Sequence, residues 1–112
     1  MKAKFRKLSL RPYPGEVWVF SSLGELRKTY ERMTQEKYPY QDEVSGGRYV
    51  IIQRGDLARD RVFLVYAKKP HVLAHELTHV LLILFADIGC EPASGKGEPF
   101  CYMLSQLMME AA

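Results

Sequence analysis

Cysteine is scarce in this 112-residue chain. Cys90 and Cys101 are the only two, and one pair on a chain with ample apolar residues is no disulfide framework, so both thiols are expected to stay reduced. Long hydrophobic runs are missing. The longest, Val80 to Ala86, falls far short of the roughly 20 residues that span a bilayer. The amino end also lacks the charged, apolar, small-residue order of a secretion signal, so a cytoplasmic protein with no membrane partner is expected. Charge of one sign is not in large excess either. The net charge is +3, with Lys2, Lys4, Arg6, Lys7 and Arg11 gathered at the amino end and the remainder close to neutral. Such a local basic edge reads more simply as a solvated strand or arm than as a nucleic-acid surface, and nucleic acid is not expected as a partner.

The composition, 47% hydrophobic with 12% aromatic, is enough to bury a core, and the length suits one domain spanning 1–112. Arg11-Pro12-Tyr13-Pro14-Gly15 breaks regular structure before Val17-Trp18-Val19-Phe20, which reads as a buried strand. Ser21 or Ser22 then caps a helix, with Glu25 early in it and Leu23, Leu26, Tyr30 and Met33 at helical spacing through about Glu36. Tyr38 to Gly47 shows no sustained period and reads as a loop. Tyr49 to Gln53 and Val62 to Tyr66, rich in β-branched and aromatic residues, read as strands joined through Arg54 to Arg61 as a hairpin. The Arg54-Gly55-Asp56 tripeptide there is turn chemistry. Pro70 suits the first turn of a helix whose apolar face (Leu73, Leu77, Val80, Leu81, Leu84) continues through about Ala86. A connection, Ile88 to Gly97, leads to a last helix that starts at Pro99 and ends near Glu110. In it Phe100, Met103, Leu104, Leu107 and Met108 are packing positions, while Glu98, Cys101, Tyr102 and Ser105 form a more polar stripe. The fold class expected is α+β.

All three histidines lie between His71 and His79, and two of them frame His75-Glu76-Leu77-Thr78-His79. Residues four apart share a helical face, so His75 and His79 can reach one cation while Glu76 projects beside them, the HExxH pattern of a zinc site. With its apolar flanks the motif is expected mid-core. A catalytic zinc usually takes three protein ligands and keeps an open position for water. Asp87, two turns beyond His79 on a straight helix, is too far to join them. Glu91 would have to fold back from a loop. Glu98 opens the next helix, which can pack antiparallel and aim its carboxylate at the metal, and it is the preferred third ligand, although a carboxylate there also suits the helix dipole. Cys90 and Cys101 are lesser alternatives, since zinc accepts sulfur but small cysteines more often serve packing. His71 extends the pattern by one turn, yet three histidines over two turns cannot all meet one ion, so it reads as an ordinary first-turn residue.

These residues resemble the gluzincin clan of zinc metallopeptidases, thermolysin among them. In size and order of elements the chain is similar to the single-domain minigluzincins, and to small HExxH proteins of tailed phages and prophages. The specific resemblance runs from Val62 to about Leu107. It implies a zincin-like domain in which a small sheet packs on the HExxH helix, a glutamate helix and one further helix. It also implies zinc on His75, His79 and Glu98, Glu76 as general base, and a polypeptide as substrate. Val62 to Tyr66 is the expected edge strand for an extended substrate. Two positions depart from the clan. Tyr102 stands where thermolysin-like enzymes place a histidine-orienting aspartate, and no histidine follows His79 to stabilise an oxyanion, a role left open among Tyr102, Tyr49 and Tyr66. The same missing histidine disfavours DNA-associated SprT-like proteases, and Leu82 at the glycine position disfavours metzincins. The reading is a zinc metallopeptidase hydrolysing peptide bonds. Its alternative is a zinc-containing binding or regulatory protein with little turnover, and a latent enzyme covered by its own ends has little support.

Overall fold

The computed structural model describes residues 5–40 and 46–112. Four strands, β1 (Phe5–Ser9), β2 (Glu16–Phe20), β3 (Gly47–Gln53) and β4 (Arg61–Ala67), and three helices, α1 (Leu23–Thr34), α2 (Pro70–Asp87) and α3 (Glu98–Ala111), make an α+β domain. The expected loop at Tyr38 to Gly47 falls partly on residues 41–45, outside the described residues, and its last glycine already belongs to β3.

The sheet order is β1-β2-β4-β3, with β2 and β4 parallel and both outer pairs antiparallel. β4 is central. Val62, Phe63, Leu64 and Val65 are each 0% exposed, because an unbroken apolar run has a buried face on either side of the sheet. This corrects the expectation that Val62 to Tyr66 is the substrate-facing edge: β2 and β3 occupy both of its hydrogen-bonding sides. The edge on that side is β3. From Val50 to Gln53 its residues alternate buried and exposed, the pattern of a strand covered on one face only. The other edge is β1, where Arg6, Lys7 and Ser9 are exposed. Charged residues there blunt an otherwise open ladder; Arg6 and Lys7 of the basic amino end lie on this exposed strand, and Lys2 and Lys4 fall outside the described residues. Lys7 Nζ lies 4.6 Å above the Trp18 ring.

Each face of the sheet carries its own core. Val17, Phe63 and Val65 point to one side, where Leu77, Val80, Leu81, Leu84 and Phe85 of α2 and Met103 and Leu107 of α3 cover them. Trp18, Phe20, Val50, Ile52, Val62 and Leu64 point to the other, against Leu26 of α1 and Tyr38. The domain is therefore a sheet between one helix and a pair. α1 begins where expected, with the Ser22 hydroxyl accepting from the Glu25 N–H at 3.3 Å. α2 stops at Gly89, which takes φ 71°. There the Gly89 and Cys90 N–H groups donate to Ala86 and Phe85 carbonyls at 3.2 and 2.8 Å, the paired bonds of a Schellman cap. Arg61 of β4 pairs with Asp87 at the end of α2, tying the helix terminus to the strand it runs back along. Among the described residues no helix is long and apolar enough to cross a membrane.

Phe63→Ala is expected to lower the unfolding free energy by about 3–5 kcal/mol, the range for emptying a buried phenylalanine site. Arg61→Ala, breaking a partly exposed pair, should cost about 1 kcal/mol or less. Urea denaturation of both variants checks the ordering.

Candidate metal centre

The motif helix packs its Leu77, Val80, Leu81 and Leu84 side on the sheet, and the histidines fall on a neighbouring side. Helical spacing sets them one turn apart. Their Nε2 atoms face each other at 3.2 Å, with ring planes at 78°. Two nitrogens bound at about 2.0–2.1 Å to one tetrahedral zinc stand about 3.3 Å apart, so the pair is spaced like one edge of a zinc coordination shell. An N–H···N hydrogen bond between the two imidazoles spans the same distance, and the spacing serves either. Of the motif only Glu76 and Leu77 are buried, with His75 exposed and His79 half-buried. The expectation of a mid-core motif is therefore corrected: the apolar stripe of α2 is deep, and the donors sit at its rim.

β3 builds the other wall. Tyr49 stacks on His79 with ring centroids 5.1 Å apart and planes at 24°, which restrains the imidazole's orientation. Two residues earlier, Gly47 meets α2 so closely that an added Cβ would lie 2.4 Å from Val72 Cγ1 and 2.8 Å from Glu76 Oε2. Glycine at this position lets the edge strand close over Glu76, which is only 8% exposed. The tyrosines separate clearly. Tyr49 adjoins the histidines, Tyr66 packs in the core on the opposite face of the sheet, and Tyr102 is 73% exposed on α3.

Glu98 is not brought to the pair. α3 runs antiparallel to α2: Phe100 meets Phe85 with centroids 5.4 Å apart, while Met108 and Ala111 share a groove with Pro70 and Leu73. Phe85 is six residues past His79, about 9 Å along the axis at about 1.5 Å per residue. Glu98, two residues before Phe100, is exposed beyond that level, by the same rise about 12 Å along the axis from His79 and about 18 Å from His75. Antiparallel packing is as expected, but the α2 helix continues far enough past His79 to carry the start of α3 away from the motif. Among the described residues no group of three or more His, Cys, Asp or Glu side chains is arranged to hold a metal. Cys90 is half-buried against the core, Cys101 is exposed and both are free. Asp87 is engaged by Arg61, and His71 is exposed in the first turn of α2.

Spacing along the chain neither marks Gly47 nor separates Tyr49 from the other tyrosines. The Gly46-Gly47 pair just before an alternating strand was the available signal for a close backbone approach. Comparison with family models, curated proteins and solved structures gave no match.

Gly47→Ala should force β3 and the Glu76 side chain apart and destabilise the fold by about 1–3 kcal/mol, as overpacking does. Thermal melts read the loss, and a shift of the His79 ring resonances would report the moved wall.

Proposed function

We propose that this chain is a zinc-dependent metallopeptidase in which His75 and His79 hold the ion and Glu76 acts as general base. The observation that carries the reading is the 3.2 Å Nε2–Nε2 spacing on consecutive turns of α2, with a carboxylate next to the first histidine at the edge of the sheet. Zinc, when bound, supplies a Lewis acid that lets water lose a proton near neutral pH. The chain's own groups supply the rest. The Glu76 carboxylate accepts that proton and returns it to the departing amine nitrogen, so no free hydroxide or amide anion is formed. Burial beside Gly47 keeps this carboxylate from swinging into solvent. The outer edge of β3 presents backbone N–H and C=O groups to an extended polypeptide, which would lie as an added strand beside the motif. Tyr49, held against His79, is the nearest hydroxyl-bearing ring and the candidate to orient the substrate carbonyl.

Glu98 is the third ligand implied by the gluzincin resemblance, and in the register of α2 and α3 described above it stands too far along the helix to join the histidines. A cytoplasmic setting, that of a bacterial host if the chain is phage-encoded, belongs to the same proposal. The second reading, a zinc-containing binding or regulatory protein with little turnover, draws on the same register, because a pair of histidines without a third donor holds metal less firmly than a complete set.

Zinc content by mass spectrometry, with casein and peptide-library cleavage on the same samples, separates the readings. Wild type is expected to carry one zinc per chain, and His75→Ala or His79→Ala to lose it. Glu76→Gln should keep the metal while cleavage falls by about 10²–10⁴-fold. In the observed register Glu98→Ala keeps its zinc, whereas metal loss there would show that α3 slides along α2 to deliver the carboxylate. Bound zinc without cleavage in wild type would support the binding-protein reading, and a metal-free wild type would refute both.

A further inference from the structure

A second site is suggested by the sheet's topology, away from the histidines. β2 and β4 are parallel neighbours, and each leads into a helix, β2 into α1 on one face and β4 into α2 on the other. Where two adjacent parallel strands send their chains to opposite faces, the backbones part and leave a crevice at the carboxyl ends, the place where sheets of this kind bind ligands. A cavity of about 670 Å³ lies there, bounded by Phe20 and Ser21 at the end of β2 and by Ala67 to Pro70 at the end of β4. Its volume is within the range of small-molecule sites.

The lining has two characters. Val19, Leu73, Met108 and Ala111 make an apolar floor on the α2 and α3 side of the sheet. Lys68 and Lys69 stand exposed at the mouth, and among the described residues no aspartate or glutamate lines the wall. Arg6 also borders the cavity, but its Nη1 donates to the carbonyl oxygens of Glu110 and Ala112 at 3.0 and 2.8 Å, holding the end of α3 as one wall. We propose that this crevice binds a small anionic amphiphile, a compound with a carboxylate head and an apolar tail. The head meets the two lysines at the mouth and the tail lies on the floor between α2 and α3. Charge complementarity argues for this occupant, since the two exposed lysines give the rim positive charge beside an apolar floor. The site is independent of the proposed peptidase activity.

Titration calorimetry with decanoate below its micelle-forming concentration, paired with amide chemical-shift mapping, tests the proposal on the full chain. Saturable one-to-one binding is expected, with shifts at Ser21, Lys69, Leu73 and Met108. Lys68→Glu/Lys69→Glu, on exposed positions, should weaken decanoate at least tenfold without changing the thermal melt, and Ala111→Trp should abolish binding by filling the floor. Decanol should bind at least tenfold more weakly than decanoate. Equal affinity of decanol and decanoate, unchanged affinity in the charge-reversed variant, shifts elsewhere, or no binding at millimolar decanoate would each overturn it. So would a concentration-dependent dimer that excludes decanoate, which would make the crevice a contact between copies.

Discussion

Burial of β4 on both faces is the constraint from which the rest of the domain follows. A strand with four consecutive apolar residues cannot leave either side in water without exposing large side chains, so each face must be covered. One helix on one side and two on the other are the minimum this chain supplies. That demand places α2 directly over β4, and with it the depth at which every residue of the motif sits. Leu77 and Val80 take the floor; Glu76, His75 and His79 are then distributed from the buried boundary outward by helical angle alone.

The same constraint separates the two places where chemistry is plausible. On the flank of α2, the edge strand β3 brings Tyr49 against His79 and Gly47 against Glu76. At the carboxyl ends of β2 and β4, the divergence of the chain toward opposite faces opens the lysine-rimmed crevice. One is a site of converging donors and the other of parted backbones. Both arise from a central strand whose neighbours differ in direction, antiparallel on one side and parallel on the other.

Much of the local structure was legible before the fold was known. A serine cap at Ser21 or Ser22, Pro70 at the first turn of α2, the start of α3 at Glu98-Pro99 and the hairpin between β3 and β4 each rest on contacts within a few residues, where local chemistry decides. The identity of the edge strand was also readable, in hindsight, from the contrast between the unbroken Val62 to Val65 run and the alternation through Gln53. Nearness in sequence to the motif points instead to Val62 to Tyr66, but a run buried on both faces belongs at the centre of a sheet.

The sequence by itself determined an α+β class, the pairing of His75 with His79 and the placement of Glu76 beside them, because a helix converts spacing into direction without help from the rest of the chain. Only the tertiary structure decided which strand borders that pair, that Tyr49 rather than Tyr66 or Tyr102 meets it, and that Glu98 at the start of α3 is not gathered with the histidines. Those outcomes depend on strand order and on the sliding position of one helix against another. Both are settled by how whole apolar faces fit together, a property that no spacing within a single segment contains.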